Sequence, residues 1–122
     1  MVKYKIAVIG LGYVGLPLAL EFSNKQTVIG FDINPERIAE LNKGEDVTGE
    51  ADSWTLKNAL TNYRSHQSLS GLCFTSDPYD LQHCDIYIIT VPTPVNADNS
   101  PDLRLLKHAT ETVARTLKKD NI

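Results

Sequence analysis

At 122 residues the chain fits one domain with one sizeable core, and its 42% hydrophobic and 22% charged content is that of an ordinary globular protein. A formal net charge of −3 argues against a nucleic-acid partner, because phosphate binding needs a basic face. No apolar run approaches the roughly 20 residues that cross a bilayer, and no leader pattern precedes the first motif, so no membrane partner and a cytoplasmic location are expected.

Strand-like and helix-like segments alternate, which predicts an α/β fold with a parallel sheet. Ile6 to Ile9 is a continuous apolar run, as in a strand covered on both faces. Gly10-Leu11-Gly12-Tyr13-Val14-Gly15 breaks it, and a helix is predicted from Val14 to about Asn24, with Pro17 tolerated near its start. Val28 to Phe31 reads as a second strand ended by Asp32. Asn34-Pro35 has the cap-plus-proline form of a helix start, Ile38, Ala39 and Leu41 supply an apolar stripe, and Gly44 ends the helix. An acidic loop follows, and Asp52 or Ser53 can cap a further helix through Trp54, Leu56 and Leu60. Residues 62–71 read as loop. Leu72 to Thr75 is a third strand, and Asp77-Pro78 starts a helical turn or two. Asp85 to Val91 is the fourth and most apolar strand, ended by Pro92-Thr93-Pro94. A long helix is predicted from Ser100-Pro101-Asp102, with Leu106, Ala109, Val113 and Leu117 on one face and Lys118 and Lys119 at its end.

The chemistry lies in Gly10-x-Gly12-x-x-Gly15. Glycines recur by chance, but this set follows a strand, opens a helix, and is followed by a second strand closed by an acidic residue about twenty positions on, which completes the dinucleotide-binding fingerprint. Gly10 permits the tight turn, Gly12 lets backbone approach a pyrophosphate, and Gly15 lets helix pack on strand. Tyr13 and Val14 lie at the helix entry, where free N–H groups and a partial positive charge favour phosphate. Asp32 can accept hydrogen bonds from the ribose hydroxyls, and its charge disfavours a 2′-phosphate, so NAD is expected rather than NADP. Arg37, one turn further on, reads equally as a contact to the adenosine side or as a solvated surface arginine. A strand order 3-2-1-4 puts the binding crevice between strands one and four, so Val91 and Thr93 face the cofactor. Cys73 and Cys84 form neither a disulfide framework nor a metal-ligand pattern and read as small buried hydrophobes; His66, His83 and His108 read as surface or boundary residues, and no metal is expected.

The run from Ile6 to Ala19, with Gly30-Phe31-Asp32-Ile33-Asn34 and Val91-Pro92-Thr93-Pro94, resembles the UDP-glucose/GDP-mannose dehydrogenase family along the whole chain. Leu41-Asn42-Lys43-Gly44-Glu45-Asp46 and Pro92 are most similar to the branch acting on UDP-N-acetylhexosamines for bacterial surface polysaccharides such as capsule and O-antigen. The resemblance implies oxidation of a sugar C6 alcohol to a carboxylate in two hydride transfers to NAD, through a thiohemiacetal and a thioester on a cysteine. It implies cofactor contacts from Gly10, Gly12, Tyr13, Val14, Gly15, Asp32, Arg37, Val91 and Thr93, and no catalytic residue in this chain, since neither Cys73 nor Cys84 matches the family's nucleophile.

The expected architecture is therefore a Rossmann-type doubly wound sheet over residues 1–122, truncated to four strands, with substrate and C-terminal domains absent. Such a fragment would be inactive, binding NAD weakly, with the UDP-sugar partner belonging to the full-length homo-oligomer. The apolar fourth strand would become an edge prone to pairing with another chain. A stand-alone NAD-sensing regulatory module and a dehydrogenase of the hydroxyacid or 6-phosphogluconate type are the competing expectations.

Overall fold

In the computed structural model, which describes residues 3–65 and 70–122, four parallel strands form one sheet in the order β3-β2-β1-β4. The strands are β1 (Lys5–Ile9), β2 (Thr27–Phe31), β3 (Gly71–Thr75) and β4 (Ile86–Ile89). The helices are α1 (Gly15–Ser23), α2 (Pro35–Asn42), α3 (Ser53–Arg64) and α4 (Arg104–Thr116). His66 lies outside the described residues.

β1 is central, in register with β2 from Lys5 opposite Thr27 and with β4 from Ile6 opposite Ile86. Its alternate side chains feed two cores. Ile6, Val8 and Val28 join Leu16, Ala19, Ile38, Leu41, Leu56 and Leu60 beneath α1, α2 and α3. Ala7, Ile9, Ile29 and Phe31 join Leu81, Cys84, Ala109 and Val113 on the α4 side. A strand covered on both faces is apolar wherever it is buried, which is why Ile6 to Ile9 of β1 show no polar alternation.

The caps follow their chemistry. The Asn34 side chain accepts from the Glu36 N–H at 3.0 Å, and that of Asp52 from the Thr55 N–H at 2.8 Å, so Asp52 rather than Ser53 caps α3. Asp77 caps a single 3-10 turn, Pro78–Leu81.

Several expectations are corrected. α3 runs through Arg64 and so occupies the start of the segment read as loop. On α2, Ala39 faces outward and Arg37 is buried beside Ile38 and Leu41, because the guanidinium finds acceptors inside. α4 begins at Arg104, not at Ser100: Ser100 is spent in a turn on Asp98, and the carboxylate of Asp102 accepts from the Arg104 N–H. Only Ala109 and Val113 of its predicted stripe are buried; Leu106 and Leu117 are exposed, Thr112 and Thr116 fill the face instead, and Lys118 and Lys119 lie beyond the helix end. β4 is shorter than predicted and half-buried throughout. Its outer edge is not bare: the Tyr87 N–H donates to the Ile122 carbonyl at 2.7 Å, and the Ile122 N–H to the Asp85 carbonyl at 2.9 Å, the pattern of a parallel ladder.

Candidate cofactor site

The carboxyl ends of β1, β2 and β4 open into a cleft of about 260 Å³, lined by the fingerprint turn Gly10–Gly12, by Phe31, Asp32 and Ile33, by Val91 and Pro92, and by Leu105, His108 and Ala109 of α4. The crevice lies where strand order reverses, between β1 and its neighbours β2 and β4.

The turn is built from both sides. Gly10 takes φ +98°, a conformation that a side chain would strain. Gly15 sits so close to the turn that a Cβ there would lie 1.7 Å from the Gly10 carbonyl oxygen and 2.5 Å from Thr90 Oγ1. Thr90, at the end of β4, donates its hydroxyl to the carbonyls of Ile9 and Gly10, at 3.0 and 2.7 Å. Asp32 accepts from the Leu11 N–H and from the Asn34 N–H, both at 3.0 Å, and so ties the turn to the end of β2.

Gly12 is different. A Cβ there would meet nothing within 4 Å. Among the described residues, the N–H groups of Gly12, Tyr13 and Val14 donate to no protein acceptor, and Tyr13 and Val14 are largely exposed. These are the orphan donors of a helix entry. Open space above Gly12, three free N–H groups and a carboxylate nearby fit a dinucleotide with its phosphates on the turn.

Arg37 is neither surface-solvated nor free. Its Nε and Nη2 donate to the Leu11 carbonyl at 3.0 and 2.9 Å. Its Nη1 donates to Glu40 and Asp46, both at 2.8 Å, and its Nη2 reaches Thr48 Oγ1 at 3.5 Å. A guanidinium has five N–H groups, and these contacts use them all. Thr93 is exposed and is not among the residues lining the cleft, whereas Val91 is.

The side chain of Asp46 is fully buried beside Arg37. Burial pushes its carboxyl up, but hydrogen bonds from the Thr48 hydroxyl, Arg37 and the N–H groups of Ala51 and Thr48 outweigh this and hold it at about 2. A carboxylate depressed in the folded state stabilises the fold above its unfolded pKa, and that contribution is lost as pH falls through the folded value. Wild type should therefore exceed Asp46→Asn in stability by about 2 kcal/mol near neutral pH, with the gap closing between about pH 4 and pH 2. Asp52, Asp98 and Asp102 are also depressed, by local hydrogen bonds, but are common to both proteins and cancel in the difference. Urea unfolding of the pair at several pH values checks this.

Cys84 is buried in the core as expected, whereas Cys73, in β3, is only partly buried against it. Burial raises each thiol, that of Cys84 to about 12, so neither is poised as a nucleophile.

Leu105, His108 and Ala109 escaped the residue-by-residue reading: nothing in a single helix pattern says that its first turns overhang the ends of β1 and β2. Thr90 was legible as the carboxyl end of the fourth strand, where ligands bind, but not as a donor to the Gly10 carbonyl.

The UDP-glucose/GDP-mannose dehydrogenase family, NAD binding domain, matches residues 4–122. The chain belongs to this family. NAD is the cofactor of the domain. The chain is 50% identical over its whole length to UDP-N-acetyl-D-glucosamine 6-dehydrogenase of Pseudomonas aeruginosa, covering 26% of that protein. It is 47% identical over 96% of its length to Protein CapL of Staphylococcus aureus, covering 25% of it. The solved UDP-D-ManNAc dehydrogenase of Pyrococcus horikoshii superposes with a TM-score of 0.83 at 36% identity, covering 97% of this chain and 27% of that one. The chain thus spans about a quarter of the length of these relatives. Among the described residues no helix is long and apolar enough to cross a membrane.

Proposed function

We propose that this chain is the NAD-binding portion of a nucleotide-sugar 6-dehydrogenase that oxidises the C6 alcohol of a UDP-N-acetylhexosamine to the uronate, for bacterial surface polysaccharide. The observation that carries it is the open, donor-lined turn at Gly12 beside Asp32, in a chain half identical to a UDP-N-acetyl-D-glucosamine 6-dehydrogenase.

NAD supplies the hydride acceptor. The chain's own residues bind and orient it. Gly10 and Gly15 hold the turn, and the N–H groups of Gly12, Tyr13 and Val14 hydrogen-bond the pyrophosphate. Asp32 keeps acceptor capacity beyond its two backbone contacts and receives the adenosine ribose hydroxyls, while its charge repels a 2′-phosphate. Ile33, Leu105 and Val91 exclude water from the cleft. Val91 faces the nicotinamide side, and Thr93, exposed in the loop after β4, would contact the cofactor from outside the cleft lining. Arg37 serves through the turn rather than through a free N–H. The residues that attack the sugar carbon lie outside these 122, since Cys84 is buried, Cys73 is partly buried in β3, and burial raises both thiols. Cytoplasmic location and self-association complete the reading, the latter supported by the half-exposed apolar face of β4.

The protein that carries this chain should yield two NADH for each UDP-N-acetylhexosamine consumed, followed at 340 nm with excess NAD. One NADH per sugar, or none with any UDP-sugar, would overturn the assignment.

A further inference from the structure

The acidic loop after α2 is bound to the underside of the fingerprint turn by a closed polar network, and the network acts on one peptide plane. Arg37 grips the Leu11 carbonyl with two donors, at 3.0 and 2.9 Å. In a trans peptide the C=O and the following N–H are coplanar and point in opposite directions. Fixing the Leu11 carbonyl from below therefore fixes the direction of the Gly12 N–H above, the first of the three unpartnered donors. The preceding peptide plane is fixed independently, by Thr90 on the Gly10 carbonyl and by Asp32 on the Leu11 N–H.

Arg37 is in turn held by Asp46, which accepts five hydrogen bonds: from Arg37 Nη1, from the N–H and hydroxyl of Thr48, and from the N–H groups of Glu50 and Ala51. Glu40 closes the ring, accepting from Arg37 Nη1 at 2.8 Å and from the Val47 N–H at 2.6 Å. Two carboxylates on one guanidinium fix its plane as well as its place, because charge-assisted contacts are short and directional.

We propose that Arg37 and Asp46 are a positioning pair for cofactor binding: Asp46 orients Arg37, and Arg37, through the Leu11 carbonyl, aims the Gly12 N–H at the pyrophosphate. Neither side chain touches the phosphates. The pairing rests on the NAD-binding reading of the turn, but its first consequence is visible without NAD.

The test has two arms, both by amide NMR on this chain. Without ligand, Arg37→Lys and Asp46→Asn should shift and broaden the Gly12 amide resonance, while Tyr87, on the outer strand, stays unchanged. A Gly12 resonance unmoved in a folded variant overturns the pairing, whatever the chain does with NAD. With ligand, Asp46→Asn should weaken NAD about ten- to hundredfold and leave adenosine, which lacks the pyrophosphate, within about twofold. Equal losses for NAD and adenosine, or none for NAD, would overturn it. Thr48→Val, which removes one hydrogen bond to Asp46 and one from Arg37, is the milder variant should Asp46→Asn not fold, and should show the same selective loss at smaller size. Failure of wild type to bind NAD would instead strike the proposed function, and the first arm would still decide the pairing.

Discussion

Gly15→Ala should unfold at a much lower urea concentration than wild type. The added methyl would lie 1.7 Å from the Gly10 carbonyl oxygen and 2.9 Å from its carbon, both backbone atoms of a turn that is itself pinned. It would also crowd Thr90 Oγ1 at 2.5 Å, the hydroxyl that bonds that same carbonyl. No flexible side chain end can give way, so α1 must withdraw from β1. That withdrawal opens the packing of Leu16 and Ala19, both fully buried, against β1 and its neighbours. Overpacking against backbone, plus a lost hydrogen bond and a loosened core, should cost about 3 kcal/mol or more. A domain of this size has only about 5–15 kcal/mol in hand. Urea unfolding followed by circular dichroism reads the effect, and a midpoint near that of wild type would show that α1 docks less tightly than the geometry requires.

Gly12→Ala should do the reverse. Its Cβ meets open space and its φ lies outside the left-handed region, so stability should stay within about 1 kcal/mol of wild type. The methyl would project where the pyrophosphate must approach three backbone donors. NAD affinity should fall by about thirtyfold or more, equivalent to about 2 kcal/mol. Titration calorimetry together with urea unfolding separates the two readouts. The same residue type, three positions apart, thus serves the fold at one site and the ligand at the other. An NAD affinity unchanged in Gly12→Ala would mean that the phosphates do not lie over this turn.

Much of this was written in the chain. Strand order 3-2-1-4 followed from the alternation of apolar runs with helical segments and from the fingerprint between the first two strands, because a right-handed crossover leaves few alternatives. The caps at Asn34, Asp52 and Asp77 were legible because a short polar side chain beside a helix start has one local job. What was not legible depended on partners far apart in sequence. Arg37 reads equally as a cofactor contact or a surface residue until the Leu11 carbonyl, 26 positions away, is seen to face it. The start of α4 was misplaced because Ser100 is taken by Asp98 in the preceding loop and the Asp102 carboxylate is spent on the N–H and guanidinium of Arg104. Leu105 and His108 reach the cleft only because α4 crosses the end of the sheet, which no periodicity encodes. Gly10, Gly12 and Gly15 were identified as a set, but only the structure separates the two that the fold demands from the one it leaves free.

The most direct test of the account is a pair of amide NMR titrations of this chain, one with NAD and one with NADP. NAD should move the resonances of Gly12, Tyr13, Val14 and Asp32, and NADP should move them far less, because the Asp32 carboxylate would face the 2′ position. Equal responses to the two nucleotides would contradict the role given to Asp32, and a folded chain in which NAD moves none of the four would contradict the cofactor site itself.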